Sequence, residues 1–149
     1  MTYQYEKVEV KTAMTDRQSM IVRVEDGRLF DALGAPVRRL VHPNTVGSNL
    51  LGVSICLMAP GDEVRRHWHD NEEAYYVIQG TGHMYLEGEG EIALEPGLSV
   101  YIPARRVHGQ VNDGVKPLHI LCSLAPPPVE GEPPNFADDS QVDEPSSAP

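Results

Sequence analysis

Short apolar runs separated by turn-forming residues constrain the fold of this chain most. Between residues 5 and 124, runs rich in Val, Ile, Leu and Tyr recur roughly every 8 to 15 residues, with Gly, Pro, Asn and Asp between them. Such runs fit β-strands, and no strong helical periodicity competes with them. The pattern therefore predicts an all-β fold. A chain of 149 residues has room for one barrel or sandwich with a proper core.

The two ends of the chain lead to different expectations. Residues 1–49 are expected to contribute strands that join the barrel, including runs at 5–10 and 20–25, while the run at 28–33 could form a helical turn. Seven of the 13 prolines fall in residues 125–149, which have few apolar side chains to offset the entropy of ordering them. This acidic, Pro-rich segment is expected to be an extended tail, either solvated or docked on a neighbouring subunit.

Charge and cysteine content argue against several classes of function. The net charge is −10, and the six acids after Lys116 supply −6 of it, so the body of the chain is only mildly acidic. No cluster of Lys and Arg interleaved with aromatics is present, which argues against a nucleic-acid partner. Cys56 and Cys122 lie in apolar runs, as reduced and buried thiols do. Without a signal peptide or an 18-residue apolar run, we expect no membrane partner and a cytoplasmic location.

Two histidines separated by one residue give the first chemical signal. In a strand, His67 and His69 point to the same side about two rises of 3.3 Å apart, where two imidazoles can share one metal ion. Trp68 between them points away. Glu73 follows a short turn at the start of the next strand, and a hairpin would return its carboxylate to the histidines. The adjacent Glu72 is the alternative acid.

A fourth ligand is expected from a distant strand, because two neighbouring strands cover only part of a coordination sphere. His108 is the natural candidate, since it follows an apolar strand and a Pro-Ala-Arg-Arg turn. Gln110 and Asn112 would share its face. The other three histidines are expected to be ordinary surface or core residues: His42, His83 and His119.

Two stretches of the chain resemble the paired motifs of the cupin superfamily. The first motif is G-x5-H-x-H-x3-E-x6-G, and the residues that match it in full are Gly61, His67, His69, Glu73 and Gly80. The second is G-x5-P-x-G-x2-H-x3-N, and the residues that match it are Gly97, Pro103, His108 and Asn112. Arg105 stands where the family often has Gly, which alters a turn outside the ligand set.

The resemblance covers roughly residues 50–124 and implies a single-domain jelly-roll β-barrel, usually a homodimer. It also implies one divalent metal ion inside the barrel, held by His67, His69, Glu73 and His108. Three imidazoles and one carboxylate suit Fe, Mn, Ni, Co or Zn, and the sequence does not choose among these metals.

Three further residues are candidates for contact with a substrate. Arg65 shares strand parity with the histidines, so in an unbroken strand its guanidinium would enter the cavity and hold a carboxylate, whereas a bulge would leave it in solvent. Tyr75 and Gln79 would share the face of Glu73. There Tyr75 could be catalytic, as an acid/base group, and Gln79 could bind substrate through its amide, although core packing is an equal alternative for Tyr75.

Three functions fit such a site. The first is a redox-neutral metalloenzyme, an isomerase, lyase or decarboxylase, that acts on a small carboxylate- or sugar-like substrate. The second is an Fe- or Ni-dependent dioxygenase, and the third is a non-catalytic barrel that binds a metal or a small molecule. The family resemblance supports all three, because one fold hosts many chemistries.

Overall fold

Eleven short strands make up most of residues 19–137, the part of the chain that the computed structural model describes. The expected strand at 5–10 lies outside these residues. A single 3₁₀ turn, Val24–Asp26, precedes the strands. In chain order the strands are β1 (Arg28–Ala32), β2 (Ala35–Val41), β3 (Gly52–Met58), β4 (Glu63–Trp68), β5 (Glu72–Gln79), β6 (Gly82–Leu86), β7 (Gly90–Leu94), β8 (Ser99–Ile102), β9 (His108–Val111), β10 (Leu118–Ala125) and β11 (Asn135–Phe136).

The strands form two antiparallel sheets. The six-stranded sheet has the order β1-β2-β3-β10-β5-β8, and the five-stranded sheet has the order β11-β4-β9-β6-β7. From β3 to β6, and again from β7 to β10, consecutive strands alternate between the two sheets. This arrangement is a jelly roll, and it confirms the all-β prediction. Within the described residues, no helix is long and apolar enough to cross a membrane.

The chain before β2 departs from the expected pattern in two places. Residues 20–25 do not form the expected strand, and Met20 and Ile21 are 71% and 82% exposed, so no sheet face buries this run. The run at 28–33 is not a helical turn, because most of it forms strand β1. Leu33 and Gly34 both have positive φ in the two-residue turn to β2, and turns of that kind match the twist of paired strands.

Inward-facing side chains from both sheets fill the barrel. Buried and exposed residues alternate along β5, so Glu73, Tyr75 and Val77 face the interior. Burial of an aliphatic side chain contributes about 1.5–3 kcal/mol. Large apolar side chains that are fully buried include Met58, Met84, Leu94, Ile102, Leu118 and Ile120. Buried polar side chains on three strands, β4, β5 and β9, are His67, Glu73, His108 and Gln110.

The described part of the C-terminal segment, residues 126–137, lies against the chain's own barrel. Pro127 is buried, and the carbonyl of Pro128 accepts a hydrogen bond from His42 Nε2 at 2.8 Å. The Glu130 carboxylate lies 3.1 Å from the Arg28 guanidinium, next to the six-stranded sheet. The segment then crosses to the other sheet, where β11 pairs with the edge of β4. Residues 138–149 lie outside the described part of the chain.

Candidate metal centre

Three histidine rings meet inside the barrel where β4 lies beside β9. His67 and His108 are direct partners in the register of these strands, and their ring centroids are 4.4 Å apart. His69 directly follows β4, with its ring centroid 5.7 Å from that of His67 and 5.0 Å from that of His108. One ring nitrogen from each histidine lies within 4.8 Å of the other two. The three nitrogens are therefore close enough to share one ion.

The carboxylate of Glu73 joins this cluster from strand β5. The short turn between β4 and β5 returns the chain, so Glu73 Oε2 lies 2.9 Å from His69 Nε2 and 3.2 Å from His108 Nε2. Glu73 is only 7% exposed. Glu72 faces outward, and its carboxylate accepts a hydrogen bond from the Tyr101 hydroxyl at 2.5 Å. The structure thus brings Glu73, and not Glu72, to the histidines.

Backbone carbonyls fix the orientation of all three imidazoles. The Nδ1 of His67 lies 2.7 Å from the carbonyl of Arg65, and the Nδ1 of His108 lies 2.8 Å from that of Arg106. The Nδ1 of His69 lies 3.0 Å from the carbonyl of Asn71. Because a carbonyl only accepts, each Nδ1 must carry the proton. Each ring therefore turns Nε2 towards the centre of the cluster, where this nitrogen offers a lone pair to a metal ion once it carries no proton.

The donor set fits a divalent transition-metal ion. His108 is fully buried, and its Nε2 makes no hydrogen bond within the described residues, although Glu73 Oε2 is near. Imidazole lone pairs that face a carboxylate at this distance repel it, unless a proton or a cation lies between them. One metal ion would satisfy the buried nitrogens and the carboxylate together. Imidazole and carboxylate ligands suit Fe, Mn, Ni, Co or Zn.

The pKa values in the cluster follow from burial and from the mutual contacts. Burial, with the charge of His108, lowers the pKa of His67 to about 4. Burial also disfavours the charged forms of His69 and Glu73, but their hydrogen bond and opposite charges outweigh it. Contact with His108, and after it contact with His69, lowers the pKa of Glu73 to about 2, while contact with Glu73 raises the pKa of His69. At neutral pH, Glu73 is ionised and His67 is neutral, as metal ligands must be.

Comparison with known proteins places this fold and site in a family. Residues 54–124 match the cupin domain family. An uncharacterized protein of Methanocaldococcus jannaschii is 34% identical over 95 residues, which are 63% of this chain and 75% of that protein. The chain belongs to the cupin family. The polyketide synthase CurC of Streptomyces cyaneus is 32% identical over 113 residues, 71% of this cupin and 73% of CurC.

A solved structure supports the fold of this cupin. The polyketide cyclase RemF from Streptomyces resistomycificus superposes with a TM-score of 0.68 at 21% sequence identity. The match covers 83% of this chain and 88% of RemF. At this level of identity, the similarity is one of fold.

A second polar pair lies beside the histidines of the cupin. Tyr75 is 3% exposed, its hydroxyl donates to Gln110 Oε1 at 3.2 Å, and its ring centroid is 6.2 Å from that of His108. Burial, together with the charge of Glu73, raises the pKa of Tyr75 well above its usual value, so the hydroxyl keeps its proton. Gln110 was not among the expected site residues. Its position two residues after His108 was the signal that could have found it.

Gln79 does not face the cupin interior, so its expected position is wrong, while its contact with a substrate stays a prediction. Alternation along β5 ends before Gln79, because Ile78 and Gln79 are both exposed. The pairing of β5 with β10 shifts register between His119 and Ile120. Beyond this shift, residues two apart on β5 no longer face the same side of the sheet. The amide beside Tyr75 comes from Gln110 instead.

Arg65 also lies outside the cavity, because a bulge interrupts the pairing of its strand. The pairing of β4 with β9 shifts register between Val64 and His67, so two residues of β4 lie opposite the single residue Gly109. The side chain of Arg65 is exposed, and its guanidinium carbon lies 3.9 Å from the ring centroid of Phe136. Of the two alternatives for Arg65, the structure therefore shows the bulge that leaves the side chain in solvent, and not the unbroken strand that would direct it into the cavity. Its contact with a substrate stays a prediction.

Arg105 adopts the backbone conformation of the glycine that it replaces in the cupin motif. Its φ is 67°, in the left-handed region, which costs a non-glycine residue about 1–2 kcal/mol. Two contacts stabilise the turn: the Arg105 N–H donates to the carbonyl of His69 at 2.7 Å, and its Nε donates to Asp70 Oδ1 at 2.6 Å. The turn before His108 is thereby tied to the turn after His69.

Proposed function

We propose that this cupin is a mononuclear metalloenzyme that performs redox-neutral chemistry, as an isomerase, lyase or decarboxylase, on a small metabolite. The observation that supports this proposal most is the convergence of three imidazoles and one carboxylate in the barrel interior. Lewis acidity, which polarises a carbonyl or carboxylate oxygen of the substrate, is the chemistry that a bound metal would supply.

The protein groups have separate tasks in this proposal. The carbonyls that accept the Nδ1 protons hold the rings in place, so the site is preorganised before substrate arrives. Glu73 offsets one of the two charges of a divalent ion, which leaves a net positive centre for a substrate oxygen. Burial of His67, Glu73 and His108 excludes water and strengthens these electrostatic interactions.

Tyr75 is the proposed proton donor. Its raised pKa keeps the phenol protonated at neutral pH, so Tyr75 can donate a proton or a hydrogen bond but cannot act as a base. Gln110 orients the hydroxyl through its side-chain oxygen. A proton transfer by such a group contributes about 10²–10⁴-fold to the rate. The variant Tyr75→Phe should therefore lower kcat by that factor and leave metal content unchanged.

One relative, CurC, supports a carbonyl substrate. CurC is a polyketide synthase at 32% identity, and a polyketide is a chain that carries ketone groups. We therefore extend the substrate class from carboxylate- and sugar-like metabolites to other small compounds that offer a carbonyl oxygen.

A screen with and without dioxygen tests the proposal. Metal-loaded protein is incubated with 2-oxo acids, β-keto acids and sugar acids, and substrate loss is followed together with oxygen uptake. We expect turnover that needs the metal and consumes no oxygen. Stoichiometric oxygen uptake would contradict the proposal in favour of a dioxygenase. Tight metal binding, with no exchangeable position and no turnover, would contradict it in favour of a non-catalytic barrel.

A homodimer is part of the proposal. Three large side chains on the outer face of the six-stranded sheet are 46% to 59% exposed: Tyr76, Ile78 and Tyr101. Apolar side chains grouped on one sheet face support an interface between copies of the chain.

A further inference from the structure

The C-terminal strand β11 lies beside the metal centre. Phe136 is the direct partner of His67 in the pairing of β11 with β4. The Ala137 N–H donates to the Arg66 carbonyl at 3.1 Å, so Ala137 and Arg66 form a hydrogen-bonded pair of the antiparallel ladder. Phe136 and His67, the adjacent pair, are therefore a non-hydrogen-bonded pair. Residues in a non-hydrogen-bonded pair have their side chains on one face and closest together. Phe136 therefore extends the face of the sheet that carries His67.

Phe136 in turn holds Arg65. The guanidinium carbon lies 3.9 Å from the ring centroid, within the range of a cation–π contact. The Phe136 side chain is 41% exposed and Arg65 is exposed, so both remain accessible to a ligand. Contact with the ring limits the rotamers of this long side chain, and no hydrogen bond within residues 19–137 occupies the N–H donors of its guanidinium, which can bind oxygens.

Several arginines of the described chain pair with a carboxylate, whereas Arg65, like Arg38 and Arg106, does not. Arg66 pairs with Glu91, Arg105 pairs with Asp70, and Arg28 pairs with Glu130. Among residues 19–137, no carboxylate lies within 4.0 Å of the Arg65 guanidinium. In a chain with a net charge of −10, this positive group beside the metal centre has no acidic partner in the described part of the chain.

We propose that β11 completes the substrate site, with Phe136 as the positioning residue that holds Arg65 at the rim, where its guanidinium binds an anionic group of the substrate. The inference rests on the proposed function and narrows its substrate class to compounds with two features. One end offers oxygens to the metal centre, and the other end carries a carboxylate or a similar anion. The guanidinium suits such a group because its fork matches two oxygens at once.

Two 2-oxo acids of equal length test this assignment. 2-Oxoglutarate and 2-oxopentanoate share the 2-oxo acid end and differ only in their far end, which is a carboxylate in the first and a methyl group in the second. Their dissociation constants are measured by calorimetry on Ni(II)-loaded full-length protein. We expect the wild type to prefer 2-oxoglutarate by about tenfold, the size of one charge-assisted hydrogen bond that is partly exposed to solvent.

The variants separate the positioning role from general effects. Arg65→Ala and Phe136→Ala should bring the ratio of the two constants close to one, while Phe136→Tyr should keep it because the ring remains. Arg66→Ala is the matched control, since the Arg66 guanidinium stacks on Tyr85 at the same distance of 3.9 Å. It should keep the preference. Nickel content and melting temperature, measured for each variant, confirm that the fold and the metal centre are retained.

The outcomes separate this inference from the proposed function. Nickel-dependent binding without preference for 2-oxoglutarate would overturn the inference and keep the metal centre. A preference that survives in Arg65→Ala, or that is lost equally in Arg66→Ala, would also overturn it. If both compounds bind metal-free and Ni(II)-loaded protein equally well, and the preference disappears in both Arg65→Ala and Phe136→Ala, the anion site is supported while the proposed role of the metal in substrate binding is contradicted.

Discussion

Each histidine of the candidate metal centre is oriented by a backbone carbonyl of its own segment. The accepting carbonyls belong to residues two positions away, Arg65 for His67, Asn71 for His69 and Arg106 for His108. No further side chain is needed to set the tautomer. The space at the centre of the cluster is thus left to one nitrogen of each ring and to the Glu73 carboxylate.

Glu73 supplies the negative charge of the centre, so its loss should weaken metal binding most clearly. Glu73→Gln keeps the size of the side chain and removes the charge. Substitution of a group that only supports a metal ligand lowers metal affinity by about 10–100-fold. Because Glu73 is itself a proposed ligand, we expect a loss of about 100-fold or more in metal affinity. Competition with a chelator measures it. Glu72→Gln is the matched control, since Glu72 faces outward, and an equal loss in both variants would contradict the assignment.

Metal affinity should depend on pH through His69. Without a metal ion, both nitrogens of His69 face acceptors, and its pKa is raised above the ordinary 6.5. The metal must displace that Nε2 proton, whereas His67, with a pKa of about 4, is already neutral. Affinity should therefore fall by about tenfold per pH unit once the pH drops below the pKa of His69. A titration of metal affinity between pH 6 and 8 measures this. An affinity that does not change with pH over that range would contradict the prediction.

At the residue scale, spacing along the chain predicted where His67, His69, Glu73 and His108 meet. That prediction required only the positions where the strands end and the turns between them, and it did not require the register of strand pairing. The position of Arg65 stayed open and that of Gln79 was wrong, because both depended on regular pairing over several residues, and a register shift lies beside each. The contacts that cause such shifts are between strands, so a sequence read alone does not reveal them.

The irregular pairing of β4 with β9 depends on a glycine. A Cβ atom on Gly109 would lie 2.8 Å from the Val64 carbonyl oxygen and 3.0 Å from the Arg66 nitrogen, both backbone atoms. Gly109→Ala should therefore force the two strands apart and cost about 1–3 kcal/mol in the free energy of unfolding, as overpacking does. Urea unfolding measures it. Ala93→Ser adds one atom to an exposed position of the same sheet and should cost little; equal costs would contradict the packing argument.

Strand β11 shows what element-scale prediction missed. Its two residues follow a Pro-rich acidic run whose composition predicts an extended tail. The strand forms because β4 offers an unpaired edge, and because Glu130 and Pro128 anchor the segment before it. Neither cause is visible in local composition. The core strands, by contrast, were predicted because each carries its own alternation of apolar residues, as β5 does.

The whole barrel should survive loss of the metal with reduced stability. The apolar core is extensive and lies on both sheets, so the described fold does not depend on the ion alone. A ligand at about 100 times its dissociation constant stabilises a protein by about 2.7 kcal/mol, which corresponds to about 5–10 °C in Tm for a chain of this size. Chelation should lower the Tm of the wild type by that amount and leave the Tm of the Glu73→Gln variant nearly unchanged. Complete unfolding on chelation at 25 °C would contradict the account.

The central claim is that one metal ion is bound inside the barrel by three Nε2 atoms and a Glu73 oxygen. An anomalous-difference map from crystals of protein purified without added metal, recorded at the absorption edge of the metal found in it, tests the claim most directly. The account predicts one peak per chain, about 2.0–2.3 Å from His67 Nε2, His69 Nε2, His108 Nε2 and Glu73. A metal peak bound elsewhere, or coordination through Nδ1 of any of these rings, would contradict it.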